Sequence, residues 1–172
     1  DYDLAITAPV GYIVRATGVL QNPKDVLTEQ SQDRLEEARE TREIVNIVDR
    51  DDLDAGEATA QSDSGKLTWK FHAENVRDAA VSLGRTYLWD ATHAIVKDKH
   101  GDGQDGICMI HAVYEANARN WRRAAEYARH GIAVEALEAF LCEHTESGAL
   151  TADSTTSDAC HALVKPATVP SG

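Results

Sequence analysis

The stretch KLTWKFH, residues 66–72, alternates apolar and polar side chains, with a tryptophan and a phenylalanine in the same phase. Successive side chains of a β-strand point to opposite faces of the sheet, so Leu67, Trp69 and Phe71 share one face. The polar residues between them share the other face. The alternation therefore predicts a half-buried strand at 66–72, with both aromatic rings in the core.

Short segments on both sides of this strand show a similar pattern and predict further strands. They are Asp3–Ala8, Tyr12–Ala16, Glu43–Val48, Asp78–Leu83, Thr86–Trp89, Thr92–Val96 and Ile107–Tyr114. The last two flank a glycine-rich connection at 97–106, which predicts a hairpin. Two stretches are predicted to be irregular: Gly18–Pro23, and residues 49–65 (DRDDLDAGEATAQSDSG), which have the composition of a solvated loop.

One helix is predicted among the strands, in LTEQSQDRLEEARETR at residues 27–42. Thr28 is a predicted N-cap, acidic residues follow it, and Arg39 and Arg42 fall in the last turn, where they complement the helix dipole. The apolar stripe of this segment is narrow, so we expect a helix that lies on the surface of the domain.

A second helix, of roughly 25 residues, is predicted beyond Ala116, where the apolar period changes to 3.6, with Asn117 as its N-cap. Its apolar stripe consists of Trp121, Ala125, Ala128, Ile132, Ala136 and Phe140. An exposed stripe of this kind favours association, so we expect self-association through the Trp121–Phe140 helix. The predicted fold class is α+β: an antiparallel β-sandwich or saddle-like domain with an inserted surface helix and a long C-terminal helix.

Charge and cysteine content narrow the classes of partner. The 172 residues carry a net charge of −12, and eleven acidic against four basic residues lie within 28–57. Such a chain repels nucleic acid and anionic membranes, so neither is an expected partner. No run of about 18 apolar residues predicts a membrane span. Cys108, Cys142 and Cys160 are odd in number and lack C-x-x-C spacing, which argues against a disulfide scaffold but leaves a Cys142–Cys160 bond open.

Two short motifs only partly match known metal sites. The turn at 98–109 has the outline of a calcium loop, but His100 and Met109 stand at the third and twelfth positions, where oxygen ligands are required. The pair His72 and Glu74 matches half of a zinc deaminase signature, and the P-C-x-x-C that supplies the thiolate ligands does not follow. We therefore interpret the first as a glycine-rich turn and His72 as an exposed or hydrogen-bonded histidine.

A third group of residues with zinc-ligating side chains lies near the end of the chain. It consists of Cys142, His144, Cys160 and His161. Two of these four are adjacent in sequence, an arrangement that tetrahedral structural sites seldom use. The sequence also lacks H-E-x-x-H, a G-x-S-x-G elbow, a Walker loop and a dinucleotide fingerprint. We predict no catalytic residue and no metal ligand in this chain, and the substrate-binding residues stay unknown.

Three ordered stretches resemble the aminopeptidase N-like zinc metallopeptidases, the gluzincin aminopeptidase family. They are APVGYIVRATGVLQNP at 8–23, TWKFHAENVRDAAVSLGRTYLWDAT at 68–92 and MIHAVYEANARNWRRAAEYARHGI at 109–132. The family pattern has an A-T-G-V-L-x-N-P turn in the first stretch, and an A-E-N-V-R-D-F-A run and a W-D-A in the second. The resemblance covers about residues 1–138.

The chain departs from the family pattern at two places. Ala79 stands where the family run has Phe. After Leu137 the family continues to an aromatic–proline segment, a G-x-M-E-N loop, H-E-x-x-H and a later Glu ligand, whereas this chain continues into residues rich in Ser, Thr and Ala. The resemblance thus implies that zinc and the catalytic Glu come from a part that this chain lacks. We expect no zinc cofactor in this chain and no activity of the chain alone.

The resemblance also implies a division of the chain. Residues 1–115 would be the C-terminal part of the N-terminal β-domain, 116–142 the first helix of a truncated metallopeptidase domain, and 143–172 a loose tail. The intact relative would use zinc to remove N-terminal residues from a peptide substrate, in an exported or periplasmic location. Glu74, Arg77 and Asp78 are expected to form an ion-pair network of the scaffold rather than to contact substrate.

Two other interpretations stay open. The chain could be a stand-alone β-rich module that binds protein partners through an acidic face or a strand edge. It could also be an incomplete or frame-shifted reading of a longer gene. The first residues alternate as in a strand already under way and do not include Met. We therefore expect a cut or processed N-terminus, and the compartment stays open.

Overall fold

The computed structural model describes residues 1–74, 76–96 and 106–132. These residues form the predicted α+β fold, in which every strand pairing is antiparallel. The strands are β1 Tyr2–Pro9, β2 Ile13–Ala16, β3 Val19–Leu20, β4 Val45–Val48, β5 Lys66–Ala73, β6 Val81–Gly84, β7 Tyr87–Val96 and β8 Gly106–Glu115. The helices are α1 Pro23–Val26, α2 Glu29–Glu40 and α3 Arg50–Ala55, followed by a 3-10 turn Arg119–Trp121 and helical residues 124–132, here α4.

Strand β5 is the middle strand of the first sheet, whose order is β1-β5-β3. Trp69 lies opposite Ile6 of β1, and Phe71 lies opposite Leu4. Trp69 is 0% exposed and Phe71 1%, so the predicted strand and its buried face are confirmed. The indole N–H of Trp69 has no hydrogen-bond acceptor among the described residues, so the burial of this ring is favoured by its apolar packing alone.

The second large sheet has the order β4-β7-β8, and the predicted hairpin of β7 and β8 is confirmed. The prediction of separate strands at Thr86–Trp89 and Thr92–Val96 is wrong, because β7 runs through both. Asp90 interrupts the apolar pattern there but is buried and hydrogen-bonded to Asn46 and Tyr114. The strand therefore continues without a break.

A two-stranded ribbon of β2 and β6 completes the β-structure. Strand β6 begins at Val81, three residues later than the predicted start at Asp78. Buried residues of the ribbon and of both larger sheets belong to one hydrophobic core, represented by Ile13, Trp69 and Trp89. The three β-units are thus held together by a shared core rather than by a common ladder.

The prediction that Gly18–Pro23 is irregular throughout is wrong. Val19–Leu20 forms β3 on the edge of β5, and Pro23 begins α1. Gly18 has a φ of +100°, and a Cβ at this position would lie 2.3 Å from the carbonyl oxygen of His72. A side chain would collide with the backbone of β5, so this turn requires glycine.

The predicted surface helix is confirmed as α2. The Thr28 hydroxyl accepts the backbone N–H of the third helical residue, as an N-cap does. The helix ends at Glu40, so Arg39 lies in its last turn, whereas Arg42 lies beyond it. Its narrow buried face includes Leu35 and Ala38 and packs against the second sheet.

The prediction of a loop throughout residues 49–65 is wrong, because α3 lies within them. Asp49 caps this helix: its carboxylate accepts the Asp52 N–H at 3.0 Å, and the Asp52 carboxylate accepts the Asp49 N–H at 2.9 Å. This reciprocal pair is a capping box, which satisfies two N–H groups that a helix start otherwise leaves without partners. Arg34 of α2 donates to Asp52 at 2.6 Å and to Asp49 at 3.2 Å, so it ties the two helices together.

The C-terminal helix differs from its prediction in the described residues. A 3-10 turn replaces the predicted first turns, and Asn117 does not cap it. Trp121 lies in that turn and is 59% exposed, and Ala128 is also exposed, whereas Ala125 is 1% exposed. The helical stripe therefore does not begin at Trp121. Ile132 is half-buried, the last two positions, Ala136 and Phe140, lie outside the described residues, and self-association stays a prediction.

No helix within the described ranges is long and apolar enough to cross a membrane.

Replacing Trp69 by alanine should lower the free energy of unfolding by about 3–5 kcal/mol, because it removes a fully buried ring and leaves a cavity. Lys70→Ala is the matched control: the neighbouring side chain is exposed on the other face of β5, so a change within about 0.5 kcal/mol is expected. Urea unfolding followed by circular dichroism measures both. Equal midpoints for the two variants would contradict the assignment of the buried face.

Asp52→Ala should lower the free energy of unfolding by about 2–4 kcal/mol, because the change removes half of the capping box and the nearer carboxylate of Arg34. Asp54→Ala removes the same charge from an exposed position of the same helix and should be close to neutral. The comparison uses the same urea unfolding measurement. A loss of stability in Asp54→Ala as large as that in Asp52→Ala would show that net charge, and not the cap, is responsible.

Candidate functional site

The acidic–amide–basic run that follows β5 lies at the surface. Ala73 is the last buried residue of the strand, and Glu74, Arg77 and Asp78 are exposed. Asn75 lies outside the described residues. The expected ion-pair network of the three charged residues is not formed in the described part of the chain: the Glu74 carboxylate contacts His72, and the Arg77 carbonyl accepts a hydrogen bond from the hydroxyl of Tyr2.

His72 lies between two carboxylates, as a hydrogen-bonded surface histidine. Its Nδ1 is 2.7 Å from Asp3 Oδ1, and its Nε2 is 3.1 Å from Glu74 Oε1. The hydrogen bond to Asp3, followed by that to Glu74, raises the pKa of His72, because only the protonated ring donates from both nitrogens. The two carboxylates thus contact different nitrogens of the same ring. No metal-binding group of three such side chains occurs in the described ranges.

A buried polar cluster holds the second sheet together at Asp90. Asn46 of β4 donates to Asp90 Oδ1 at 2.6 Å, and the Tyr114 hydroxyl of β8 donates to Asp90 Oδ2 at 2.7 Å. Burial, and then the hydrogen bond to Asp90, raises the pKa of Tyr114. Both carboxylate oxygens are therefore engaged by neutral donors from the two flanking strands. The cluster links three strands and presents no reactive group.

Arg15 of β2 and His111 of β8 lie together beside the ring of Trp89. The Arg15 guanidinium carbon lies 4.9 Å from the ring centroid of Trp89 and 5.4 Å from that of Phe71, distances typical of cation–π contacts. Burial lowers the pKa of Arg15 to about 10. The indole N–H of Trp89 donates to His111 Nδ1 at 3.2 Å. Burial, and then the positive charges of Arg15 and Arg39, lowers the pKa of His111 to about 3, so its ring is neutral near pH 7.

This arrangement assigns the tautomer of His111. An indole nitrogen only donates, so His111 Nδ1 must carry a lone pair, and the proton of the neutral ring resides on Nε2. His111 and Arg15 both line one cavity of about 410 Å³, and neither Arg15 nor His111 Nε2 has a hydrogen-bond partner among the described residues. Among the described residues, the lining of the cavity therefore includes one cation, the neutral N–H donor of His111, and the hydroxyl residues Thr17 and Ser82.

The remaining predicted candidates lie largely or wholly outside the described residues. Of the calcium-like turn at 98–109, residues 98–105 are outside, and the rest belongs to β8. The four possible zinc ligands Cys142, His144, Cys160 and His161 are all outside as well, so they stay untested. Among the described residues, Cys108 is a half-buried free thiol on β8.

Sequence reasoning missed the Arg15–His111 cavity, although a signal was present. Arg15 is in phase with Ile13, which is 0% exposed, and Val14 in the opposite phase is 0% exposed as well. The signal is therefore a charged residue in a short strand that is buried on both faces. His111 is likewise in phase with Met109 and Val113, which pack against the core. A charged or titratable side chain in phase with buried apolar neighbours is the pattern that indicates such a site.

The chain matches no protein-family model, no curated protein and no solved structure.

The two histidines should give opposite dependences of stability on pH. The folded pKa of His111 lies below its ordinary value of about 6.5, so its contribution is complete above about pH 6.5 and is lost as the pH falls toward 3. The folded pKa of His72 is raised, so its contribution is complete below about pH 6.5 and is lost as the pH rises through the folded value.

Urea unfolding of His111→Gln and His72→Gln at about pH 4.5 and about pH 7.5 measures this difference. Relative to the parent, the histidine at 111 should be less favourable to stability at the lower pH, and the histidine at 72 more favourable there. A shift of the same sign for both variants would contradict one of the two environments.

Proposed function

We propose that this chain is a non-catalytic scaffold portion of an aminopeptidase N-like zinc metallopeptidase. The proposal rests on the resemblance of the three sequence stretches to that family, and on how two of these stretches meet in the fold. In the intact enzyme the scaffold would support a separate metallopeptidase domain, which would bind zinc and the peptide substrate. The chain alone would hydrolyse nothing.

The observation that carries the proposal is the contact between the A-T-G-V-L-x-N-P turn and strand β5. The side-chain amide of Asn22 donates to the Thr68 carbonyl at 2.9 Å and accepts the Lys70 N–H at 2.9 Å. The Asn22 side chain thereby satisfies backbone groups of β5 just beyond the end of β3, as the backbone of a paired strand residue would. Gly18, at the other end of the turn, packs directly on the His72 backbone.

The same residues give a physical reason for the spacing of the motifs. Gly18 is required for close approach, Asn22 for pairing with a strand edge, and Pro23 fits the first turn of α1, where its missing N–H costs no hydrogen bond. Trp89 and Asp90 of the W-D-A motif provide a core ring and the buried carboxylate that joins β4, β7 and β8. Motif residues with these roles build a framework, which favours a scaffold over an active site.

The stand-alone interaction module remains the second candidate, and exposed apolar side chains favour it. Ile95 and Ile107 lie opposite each other on β7 and β8 and are 41% and 60% exposed. On β6, Val81 and Leu83 are 46% and 48% exposed. Adjacent exposed apolar residues on strands are a common feature of protein-binding surfaces. In a scaffold domain the same surfaces would be covered by the rest of the enzyme.

The purified chain should hold less than stoichiometric zinc after dialysis and should not hydrolyse an aminoacyl-amide substrate, because H-E-x-x-H is missing from its sequence. Metal analysis and a chromogenic peptidase assay measure both. Stoichiometric zinc or measurable turnover would contradict a non-catalytic scaffold.

The DNA beyond the Leu137 codon separates the two candidates. A scaffold of this family predicts that H-E-x-x-H is encoded downstream, in the same or another reading frame. Its absence from all frames of the genomic locus would favour the interaction module instead.

A further inference from the structure

An arginine with no anionic partner in the described part of the chain lies at the edge of the core. Arg15 packs its guanidinium on the rings of Trp89 and Phe71, and none of the described carboxylates lies within salt-bridge distance of it. Arg15 is half-buried, and a charge that is partly removed from water is ordinarily paired, because desolvation is unfavourable for an isolated ion. This guanidinium therefore retains unused capacity to bind an anion.

The geometry leaves the donors of Arg15 available. The guanidinium has five N–H donors, and none of them has a hydrogen-bond acceptor among the described residues. The cavity of about 410 Å³ beside it is lined by Arg15, Thr17, Ala80, Val81, Ser82 and His111, among others, and none of its described lining residues is acidic. In a chain with 29 acidic and 17 basic residues, the described lining of this cavity is thus free of acidic residues and includes one cation.

We propose that this cavity is a carboxylate-binding site, in which the ligand oxygens accept hydrogen bonds from the Arg15 guanidinium and from His111 Nε2–H. The planar fork of arginine matches the two oxygens of a carboxylate, and charge-assisted hydrogen bonds of this kind are among the stronger ones in proteins. The volume is in the range of small-ligand sites. The methyl groups of Ala80 and Val81 provide an apolar wall for the carbon skeleton of the acid.

A carboxylate fits this site better than a phosphate. With His111 neutral, the site offers one positive charge, which balances a carboxylate but leaves a phosphate dianion with excess negative charge in a strongly acidic protein. Two kinds of ligand carry such a carboxylate: a small organic acid, and a peptide with a free C-terminus. Both would engage Arg15 in the same way, and they differ only in what lies beyond the carboxylate.

The indole N–H of Trp89 provides a direct reporter for the test. It donates to His111 Nδ1, so an anion on Nε2 of the same ring or on Arg15 must change the field at this proton. The full ¹⁵N-labelled chain is titrated with sodium acetate at constant ionic strength, and with acetamide as the uncharged isostere. We expect a saturable shift of the Trp89 indole signal with acetate and none with acetamide, while the exposed indole of Trp121 stays unchanged.

Two further titrations distinguish the sources of the carboxylate. N-acetyl-dialanine with a free C-terminus is compared with its C-terminal amide. At least about tenfold tighter binding of the free peptide acid than of acetate identifies a peptide terminus, and equal or weaker binding of the peptide acid identifies a small organic acid. Inorganic phosphate is the competing anion, and tighter binding of phosphate than of acetate would overturn the assignment to carboxylates.

Variants test the residue that carries the proposal. Arg15→Gln should weaken acetate binding at least about tenfold, because it removes the charge and the fork, whereas Arg85→Gln, which removes the same charge from an exposed position, should leave it unchanged. Arg15→Lys keeps the charge and serves where the glutamine variant does not fold; it should still weaken acetate binding severalfold. Acetate binding unaffected by the Arg15 substitutions, or a Trp89 signal that acetate and acetamide move equally, would overturn the proposal.

Discussion

The burial of the aromatic face of β5 is the constraint on which the rest of the fold depends. Trp69 and Phe71 each remove a large apolar surface from water, and at about 25 cal/mol per Å² such rings dominate the stabilisation of a small core. Both neighbours of β5 are arranged around this face: β1 pairs along its whole length, and β3 with Asn22 occupies the opposite edge. A shift of one residue would turn both rings outward, so the register of the first sheet is determined by the core.

Charged side chains that enter the core are each stabilised in a different way. Asp90 accepts hydrogen bonds from neutral donors on both sides, and Asp52 combines a helix cap with an arginine. Arg15 rests on aromatic faces and has no counter-ion among the described residues. Both oxygens of Asp90 accept a hydrogen bond, and Asp52 Oδ2 accepts from the Asp49 N–H and from Arg34, so these two carboxylates have their partners within the chain. Arg15 has no such partner among the described residues. We therefore regard the two carboxylates as structural groups and Arg15 as a candidate ligand-binding group.

The features that could be predicted from sequence are those that local periodicity and capping determine. The alternation at 66–72, the N-cap at Thr28 and the apolar patterns of β7 and β8 are each recognised within a short window of sequence. Helix α3 was missed because an acidic capping box has the same composition as a solvated loop. The continuity of β7 depends on Asn46 and Tyr114, which are distant in sequence, and the Arg15 cavity requires β2, β6 and β8 together. Such long-range partners have no local signature, although the position of Arg15 directly after two apolar strand residues is visible in the sequence.

The pairing of β1 with β5 has a consequence for the order in which the protein folds. Thr7 and Thr68 face each other across this pair and are 61 residues apart in sequence, so the ladder forms only when a long chain segment closes. Such closure carries an entropic cost, and non-local pairings of this kind fold slowly. Helix α2 and the β7–β8 hairpin depend on nearby residues and can form earlier. Before β1 pairs with β5, the aromatic face of β5 and its unpaired edge are both exposed. At this stage, strand pairing between different molecules competes with folding.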